Sequence, residues 1–457
     1  MQYSIIQKSQ LEGALRLDAE YYQPEYLELV DKLNEFRKFK IGEISDIVYG
    51  TTPTGGIFEE NGVPFVRSQN FSLLNIDENI VYCSESFHKQ NKKSKVESGD
   101  ILFAVVGATI GQLAIVQDKI KEANINQNIA GVKIKDKRFS PHFVGIFFAS
   151  RFGQFQIERL VTGNAQFYLN TEQIKNFVIP LLKNELQDKT ARIFKKSQKE
   201  LENSKTLYHQ AEELLLEELG LKDFEPKEDL AYVVNFSDAE SADRIDAEYF
   251  QPRYEKLVEA IKKNRSKTIK ELSEVVGHPS NPSYSTDADQ KNKTYILTQK
   301  HLAEFSPKDN FWQDEDSLFT TEEFLEKNKE YMLKNEDLVL YSVGAYIGKT
   351  NIYNINVPAI IGSFLTLIRP RKDLINPYYF MVFMNSFIGR FLTRRNQKGL
   401  AQQYIYPYDI RKQIVPILPK STQQKIADLV HQSHAARQKA KQLLEEAKQK
   451  VEDLIEK

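Results

Sequence analysis

The sequence predicts an α+β fold: two tandem mixed α/β domains joined by two long helices in an antiparallel coiled coil, with approximate two-fold symmetry. Three observations carry this expectation. Asp18-Ala19-Glu20-Tyr21-Tyr22-Gln23-Pro24 returns as Asp246-Ala247-Glu248-Tyr249-Phe250-Gln251-Pro252. Apolar runs of strand length sit between turn signals in each half. Each half then closes in a long stretch of four-three spacing, which marks a coiled-coil seam. The offset between copies stays at roughly 230 residues, far beyond the period of a solenoid, so each copy is a whole domain.

Taken in order, residues 1–184 form the first domain and 185–220 the first long helix. Residues 221–418 form the second domain and 419–457 the second long helix. Each domain opens with a short helix carrying the repeated motif, stopped by polar residues near Lys38 and Lys263. Strand-like Ile101–Val106 and its counterpart Leu338–Val343 follow the turns Gly99-Asp100 and Glu336-Asp337. They run into Val106-Gly107-Ala108-Thr109-Ile110-Gly111 and Val343-Gly344-Ala345-Tyr346-Ile347-Gly348. One helix around Pro141–Leu160 is matched by one over Pro377–Arg395. In the closing helices the seam runs Thr190, Phe194, Ser197, Leu201, Ser204, Tyr208, Ala211, Leu215. In the second it runs Ile426, Val430, Ser433, Arg437, Ala440, Leu444, Ala447, Val451, Leu454. One seam position is small throughout, which lets two helices approach closely. Gly220 fits a C-terminal stop. At 1.5 Å per residue a rod of this kind is about 50 Å long, more than one turn of B-DNA.

The chain has 457 residues, 41% of them hydrophobic, enough for real cores. Its apolar stretches are too short for a membrane span, and its start lacks a basic region followed by an apolar one. Neither a signal peptide nor a membrane association is expected, and the chain reads as cytoplasmic. A single cysteine, Cys83, excludes an internal disulfide framework and reads as a packed thiol. The net charge is −1, but its distribution is uneven. Acidic residues gather between Glu185 and Asp229. Basic ones cluster at Lys89-Lys92-Lys93-Lys95, Arg369-Arg371-Lys372 and Arg390-Arg394-Arg395-Lys398.

Catalytic chemistry is not legible. Gly344-Ala345-Tyr346-Ile347-Gly348-Lys349-Thr350 is one residue short of a phosphate-binding loop, and its twin lacks the Lys and the hydroxyl. Asn281-Pro282-Ser283-Tyr284 and Asn376-Pro377-Tyr378-Tyr379 lack the second proline of an adenine-methyltransferase loop and read as turns. His431 and His434 lie one helical turn apart with no thiolate or carboxylate beside them, so no metal site is argued. No cofactor is expected.

The ordered set of repeats resembles the specificity subunit of a bacterial type I restriction-modification system over essentially the whole chain. The resemblance rests on the two Asp-Ala-Glu-Tyr motifs and on Val63-Pro64-Phe65-Val66-Arg67-Ser68-Gln69, echoed by Thr294-Tyr295-Ile296-Leu297-Thr298-Gln299. It rests also on Ser98-Gly99-Asp100-Ile101-Leu102-Phe103 and on Gly163-Asn164-Ala165-Gln166 followed by Ile179-Pro180, with Gly399, Ala401-Gln402 and Val415-Pro416 in the second copy. It implies a non-catalytic subunit with two target recognition domains, each reading part of a split sequence in double-stranded DNA. The helical spacer would dock two methyltransferase subunits, and motor-nuclease subunits would complete a cutting complex. A related system with a fused nuclease-methyltransferase partner, or a coiled-coil scaffold without a nucleic-acid role, are the alternatives. The second copy departs from the pattern where Ile361-Gly362-Ser363 stands for Asn126-Gln127-Asn128.

Base reading in the major groove needs guanidiniums and amides. In the first copy Arg67, Gln69, Gln127, Asn128 and Gln166 fit, and in the second Gln299, Arg369, Gln402 and Gln403. Thr109 and Tyr346 occupy equivalent turns. Arg159, Arg390, Arg394, Arg395 and Lys398 suit phosphates, which position a protein without specifying sequence.

Overall fold

A computed structural model of the chain describes residues 4–8, 11, 17–77, 80–160, 168–285, 293–314, 317–399 and 402–457. It divides into two compact units, Met1–Asn203 with Ala436–Lys457, and Ser204–Ala435. The division cuts through both long helices, so each unit contains the beginning of one and the end of the other.

The repeated motif is not part of one helix. Ala19–Tyr22 and Ala247–Phe250 are 3-10 turns, and α-helices Pro24–Asn34 and Pro252–Lys262 follow. Gln23 and Gln251 sit at ψ 141° and 126°, because a residue before proline is kept out of the helical region. The proline then starts the α-helix, where its missing N–H costs nothing.

In the first unit an antiparallel sheet runs in the order Ser45–Tyr49, Ile129–Ile134, Ile101–Ala104, Leu113–Ile115. A second sheet runs Val81–Cys83, Val63–Val66, Glu122–Ile125, Lys95–Glu97, with its central pair parallel. The second unit repeats the first sheet as Ser273–Gly277, Leu365–Pro370, Asp337–Tyr341, Thr350–Tyr353. Its parallel pair is Tyr295–Leu297 with Ala359–Ile361. The Ile179-Pro180 and Val415-Pro416 segments are short strands that return to Lys38–Lys40 and Ser266–Thr268, closing each domain before its long helix starts.

The aspartate after each turn has a structural task. Asp100 accepts from the Glu97 N–H at 2.9 Å and pairs with Lys133 at 3.2 Å. Asp337 accepts from the Lys334 N–H at 2.7 Å and pairs with Arg369 at 2.8 Å. Burial pushes both carboxyls above the ordinary range, and the paired cation opposes the shift. Arg369 also donates to the carbonyls of Glu330 and Met332, and only 7% of it is exposed. It is therefore an internal strut equivalent to Lys133, and no guanidinium edge is left for a base.

The single helix expected over Pro141–Leu160 is two, Pro141–Ala149 and Arg151–Leu160. Pro377–Asn385 and Phe387–Arg395 repeat the break. The interrupting Ser150 and Ser386 donate their hydroxyls back to the carbonyls of Phe147 and Phe383. The second helix then folds so close to the first that a Cβ on Gly153 would lie 2.1 Å from Phe148 Cα, and one on Gly389 1.9 Å from the Phe383 carbonyl oxygen. No spacing rule reveals such a corner.

The long helices span Asn184–Leu219 and Lys420–Glu456. Every seam position named above is buried except Arg437 and Leu454, which are half-buried. In the first unit Ser197 donates to the Ala440 carbonyl at 2.7 Å, and in the second Ser433 donates to the Ser204 carbonyl at 2.7 Å. The partner number falls as the first helix advances, so the helices run antiparallel. Such hydroxyl-to-backbone bonds need small residues at the seam. A buried amide anchors the start of each helix. Gln187 accepts from Ser140 N–H and donates to the Leu182 carbonyl, and Gln423 does the same with Asn376 and Leu418.

Candidate nucleic-acid interface

In the first unit three turns meet at one end of the sheets. The Asn126 N–H donates to the Val66 carbonyl at 3.1 Å, joining the Asn126–Asn128 turn to the strand that ends in Arg67. The Val105 N–H donates to the Asn128 carbonyl at 2.9 Å, bringing in the turn that carries Thr109. The Thr52 hydroxyl donates to Gln127 Oε1. Arg67, Gln69, Gln127, Asn128 and Thr109 thus share one loop end, each at least half-exposed or partly so. Arg67 lies 5.7 Å from the Phe58 ring, and its Nε has no hydrogen-bond partner among the described residues, nor has Asn126 Oδ1. Enclosed polar atoms without partners mark a place where water or a ligand supplies them. Gln166 and the rest of the Gly163–Gln166 motif lie outside the described residues.

The same end of the second unit is built on equivalent bonds with different side chains. Gly362 N–H donates to Leu297 O at 2.8 Å, as Asn126 does to Val66, so Gly362-Ser363-Phe364 stands for Asn126-Gln127-Asn128. The sequence alignment had set that match one residue earlier. The turn after Leu297 likewise matches Thr298 with Arg67, since both backbone N–H groups bond a side chain three residues on. Gln299 therefore matches Ser68, and Lys300 matches Gln69. Gln299 Nε2 is spent on the carbonyls of Val343, at 2.9 Å, and Phe364, at 3.2 Å. Tyr346 stands where Thr109 stands and is 60% exposed. Gln402 and Gln403 are exposed, and the Gln403 carbonyl accepts from Gly344 N–H at 3.0 Å. That bond shows the near phosphate-loop to be a turn tied to its neighbour.

The arginines separate into two kinds. Arg159 is buried, donates from Nε to the Tyr21 carbonyl at 2.8 Å and lies 3.8 Å from the centre of the Tyr21 ring. Arg395 does the same in the second unit, with Tyr249 O at 3.1 Å and the Tyr249 ring at 4.7 Å, and pairs with Glu255. Both hold the repeated Asp-Ala-Glu-Tyr motif against its own domain, which corrects the phosphate reading of these two residues. A guanidinium engaged on both face and edge is not free for a phosphate. Arg390 is half-buried beside Arg394, and burial first, then that neighbouring charge, lowers its pKa. Arg394 is exposed and lines a cavity of about 890 Å³ with Lys398 and Gln403. Burial works against the Lys398 charge, but a bond to the Tyr408 hydroxyl and the Asp409 carboxylate hold its pKa above the usual lysine value.

Sequence reasoning missed an aromatic group at this end. Tyr404, Tyr406 and Tyr408 form a ladder with ring centres 4.9 and 5.6 Å apart, and Lys398 lies 5.6 and 4.9 Å over the last two rings. Their alternation in Tyr404-Ile405-Tyr406-Pro407-Tyr408 is a period-two signal that was available in the sequence. Phe364 was missed because the register of its turn was not.

Among the described residues no helix is long and apolar enough to cross a membrane, and no group of three or more His, Cys, Asp or Glu side chains is placed to hold a metal. Cys83 is buried, and burial raises its thiol pKa.

Two mixed domains, each followed by a long helix and each exposing a loop end built on equivalent backbone bonds, define a duplicated α+β architecture. The model of the type I restriction modification DNA specificity domain matches the chain twice, over residues 34–213 and 261–449, and the chain belongs to that family. It is 29% identical over 147 residues to the EcoBI specificity subunit of Escherichia coli, covering 32% of this chain and 30% of the relative. It is 25% identical over 146 residues to the MjaVIII specificity subunit of Methanocaldococcus jannaschii, covering 31% and 34%. The matched segments thus span about a third of each relative's length. Among solved structures it is similar to a type I restriction-modification S subunit from M. genitalium, with TM-score 0.40 and 14% identity over 92% of this chain and 94% of that one. The HsdS subunit from Thermoanaerobacter tengcongensis aligns with TM-score 0.30 and 14% identity over 91% and 95%.

Proposed function

We infer that this chain is a non-catalytic DNA-sequence-specificity subunit of a type I restriction-modification complex. Each unit's loop end reads one part of a bipartite target, and the paired long helices dock methyltransferase subunits. Motor-nuclease subunits then complete the cutting assembly. One observation carries the reading: two specificity domains in one chain present the same loop end with different side chains at matched positions, such as Asn128 against Phe364 and Thr109 against Tyr346. Equal scaffolds with unequal tips are what two different half-sites require. Arg67, Gln69, Gln127, Asn128 and Gln166 are assigned to bases in one half. Gln402 and Gln403 are assigned to bases in the other, and Arg390, Arg394 and Lys398 to phosphates.

The test is methylation sequencing of a host genome with the cognate methyltransferase expressed with and without this chain. A split adenine-methylated motif that appears only with the chain is the expected result. An active, bound methyltransferase that produces no new motif overturns the reading.

A further inference from the structure

The two loop ends differ in kind. At matched positions the first unit has Asn128, Thr109, Asn170 and Glu172, and the second has Phe364, Tyr346, Tyr406 and Tyr408. Only the tyrosine at the foot of the group, Tyr168 or Tyr404, is common to both. The four aromatic side chains of the second unit are 58%, 60%, 43% and 47% exposed. Backbone bonds bring the three segments that carry them to one loop end. Ser342 N–H donates to Phe364 O at 3.1 Å, Ile405 N–H to Ser342 O at 2.9 Å, and Gly344 N–H to Gln403 O at 3.0 Å.

Large aromatic surfaces left in water mark an interaction site. This one is rimmed by cations. Lys398 covers Tyr406 and Tyr408, Lys412 lies 5.6 Å from the Tyr408 ring, and Lys349 lies 6.0 Å from the Tyr346 ring. An apolar centre with a basic rim complements an apolar feature set between phosphates. Two polar side chains of this end are meanwhile engaged within the unit, since Gln299 Nε2 donates twice and the Ser363 hydroxyl donates to Asn281, while Gln402 and Gln403 stay exposed. The apolar feature that base edges offer in the major groove is the 5-methyl group of thymine.

We propose that the second unit selects its half-site chiefly by packing Phe364, Tyr346 and Tyr406 on thymine 5-methyl groups, whereas the first unit selects by hydrogen bonds from Arg67, Gln69, Gln127 and Asn128. This rests on the DNA-reading role given above and adds the chemistry by which one half discriminates. The rim cations hold the phosphates on either side, so the aromatic patch faces the groove and not the backbone.

The complex of this chain with its methyltransferase is titrated with duplexes carrying the mapped target, in which thymine is replaced by uracil in one half at a time. Uracil keeps the base pair and removes only the methyl. One half, and only one, should lose affinity, by about fourfold for each methyl removed, the worth of one buried methyl-sized group. In the variants Phe364→Asn and Tyr346→Thr, which carry the first unit's side chains at exposed positions, the thymine-to-uracil ratio should fall toward one. Unchanged melting of the variant chains shows that the fold is intact. Equal affinity for both substitutions, a target with no A·T pair in one half, or variants that weaken thymine and uracil duplexes equally would overturn the proposal. Variants that lose the methyltransferase instead of the uracil effect would overturn it too, and mark the patch as a protein contact. If the complex fails to prefer the mapped target over a scrambled duplex, the DNA-reading role itself falls, which is a separate result.

Discussion

Arg394 and Arg395 are sequence neighbours with opposite assignments, and replacing each by alanine separates them. Arg395 is the clamp: its Nε donates to the Tyr249 carbonyl at 3.1 Å, its guanidinium lies 4.7 Å from the Tyr249 ring, and it pairs with Glu255. A charge-assisted hydrogen bond contributes about 1.5–3 kcal/mol and the ring contact about 0.5–1 kcal/mol. The Glu255 pair adds little, because that carboxylate is well exposed. Arg395→Ala should therefore destabilise the second unit by about 2–3 kcal/mol, lowering its melting by roughly 4–12 °C for a domain of this size. It should leave the salt dependence of DNA binding unchanged. Arg394→Ala should do the reverse: melting holds, and the slope of log affinity against log salt becomes shallower by about 0.9 for one lost phosphate contact. Calorimetry on the chain and a salt series of binding constants for the complex supply both readouts. If Arg395→Ala flattened the salt slope as much as Arg394→Ala with no change in melting, the clamp assignment would be refuted.

Three further outcomes follow from the same geometry. Arg369→Met leaves Asp337 buried without its cation and should cost about 3–5 kcal/mol in urea unfolding of the second unit, with no specific loss at one base position. Gly389→Ala puts a Cβ 1.9 Å from the Phe383 carbonyl oxygen, so the helix corner must open, and denaturation should show a loss of about 1–3 kcal/mol. Burial raises the Glu212 carboxyl to about 7. A folded pKa above the unfolded one means that this carboxyl's contribution to stability is fully present below about pH 4.5 and is lost as pH rises toward 7. Glu212→Gln should remove that decline, gaining about 1–2 kcal/mol at pH 8 for a side chain only partly enclosed, as read by melting at both pH values.

The duplication, the heptad seam and the closing helices were legible in the sequence, because each depends on spacing along one chain. Seam residues from Thr190 to Leu215 are buried as their period requires. The division of labour among polar residues was not legible. Arg159, Arg369 and Arg395 look like Arg394 in composition, yet three of them are enclosed by a tyrosine or an aspartate from a distant segment. The break at Ser150 and Ser386 was likewise hidden, since it depends on how closely one helix returns onto another. The register that matches Phe364 with Asn128 required the backbone bonds of the turn.

Sequence alone thus determined that the chain is a doubled domain with a long helix closing each copy, since periodicity and repetition are local properties of the string. Tertiary structure decided which cations are struts and which face solvent, and that one tip is polar and the other aromatic. A side chain's role depends on the neighbours that fill its hydrogen bonds and exclude water from it, and those neighbours come from elsewhere in the chain.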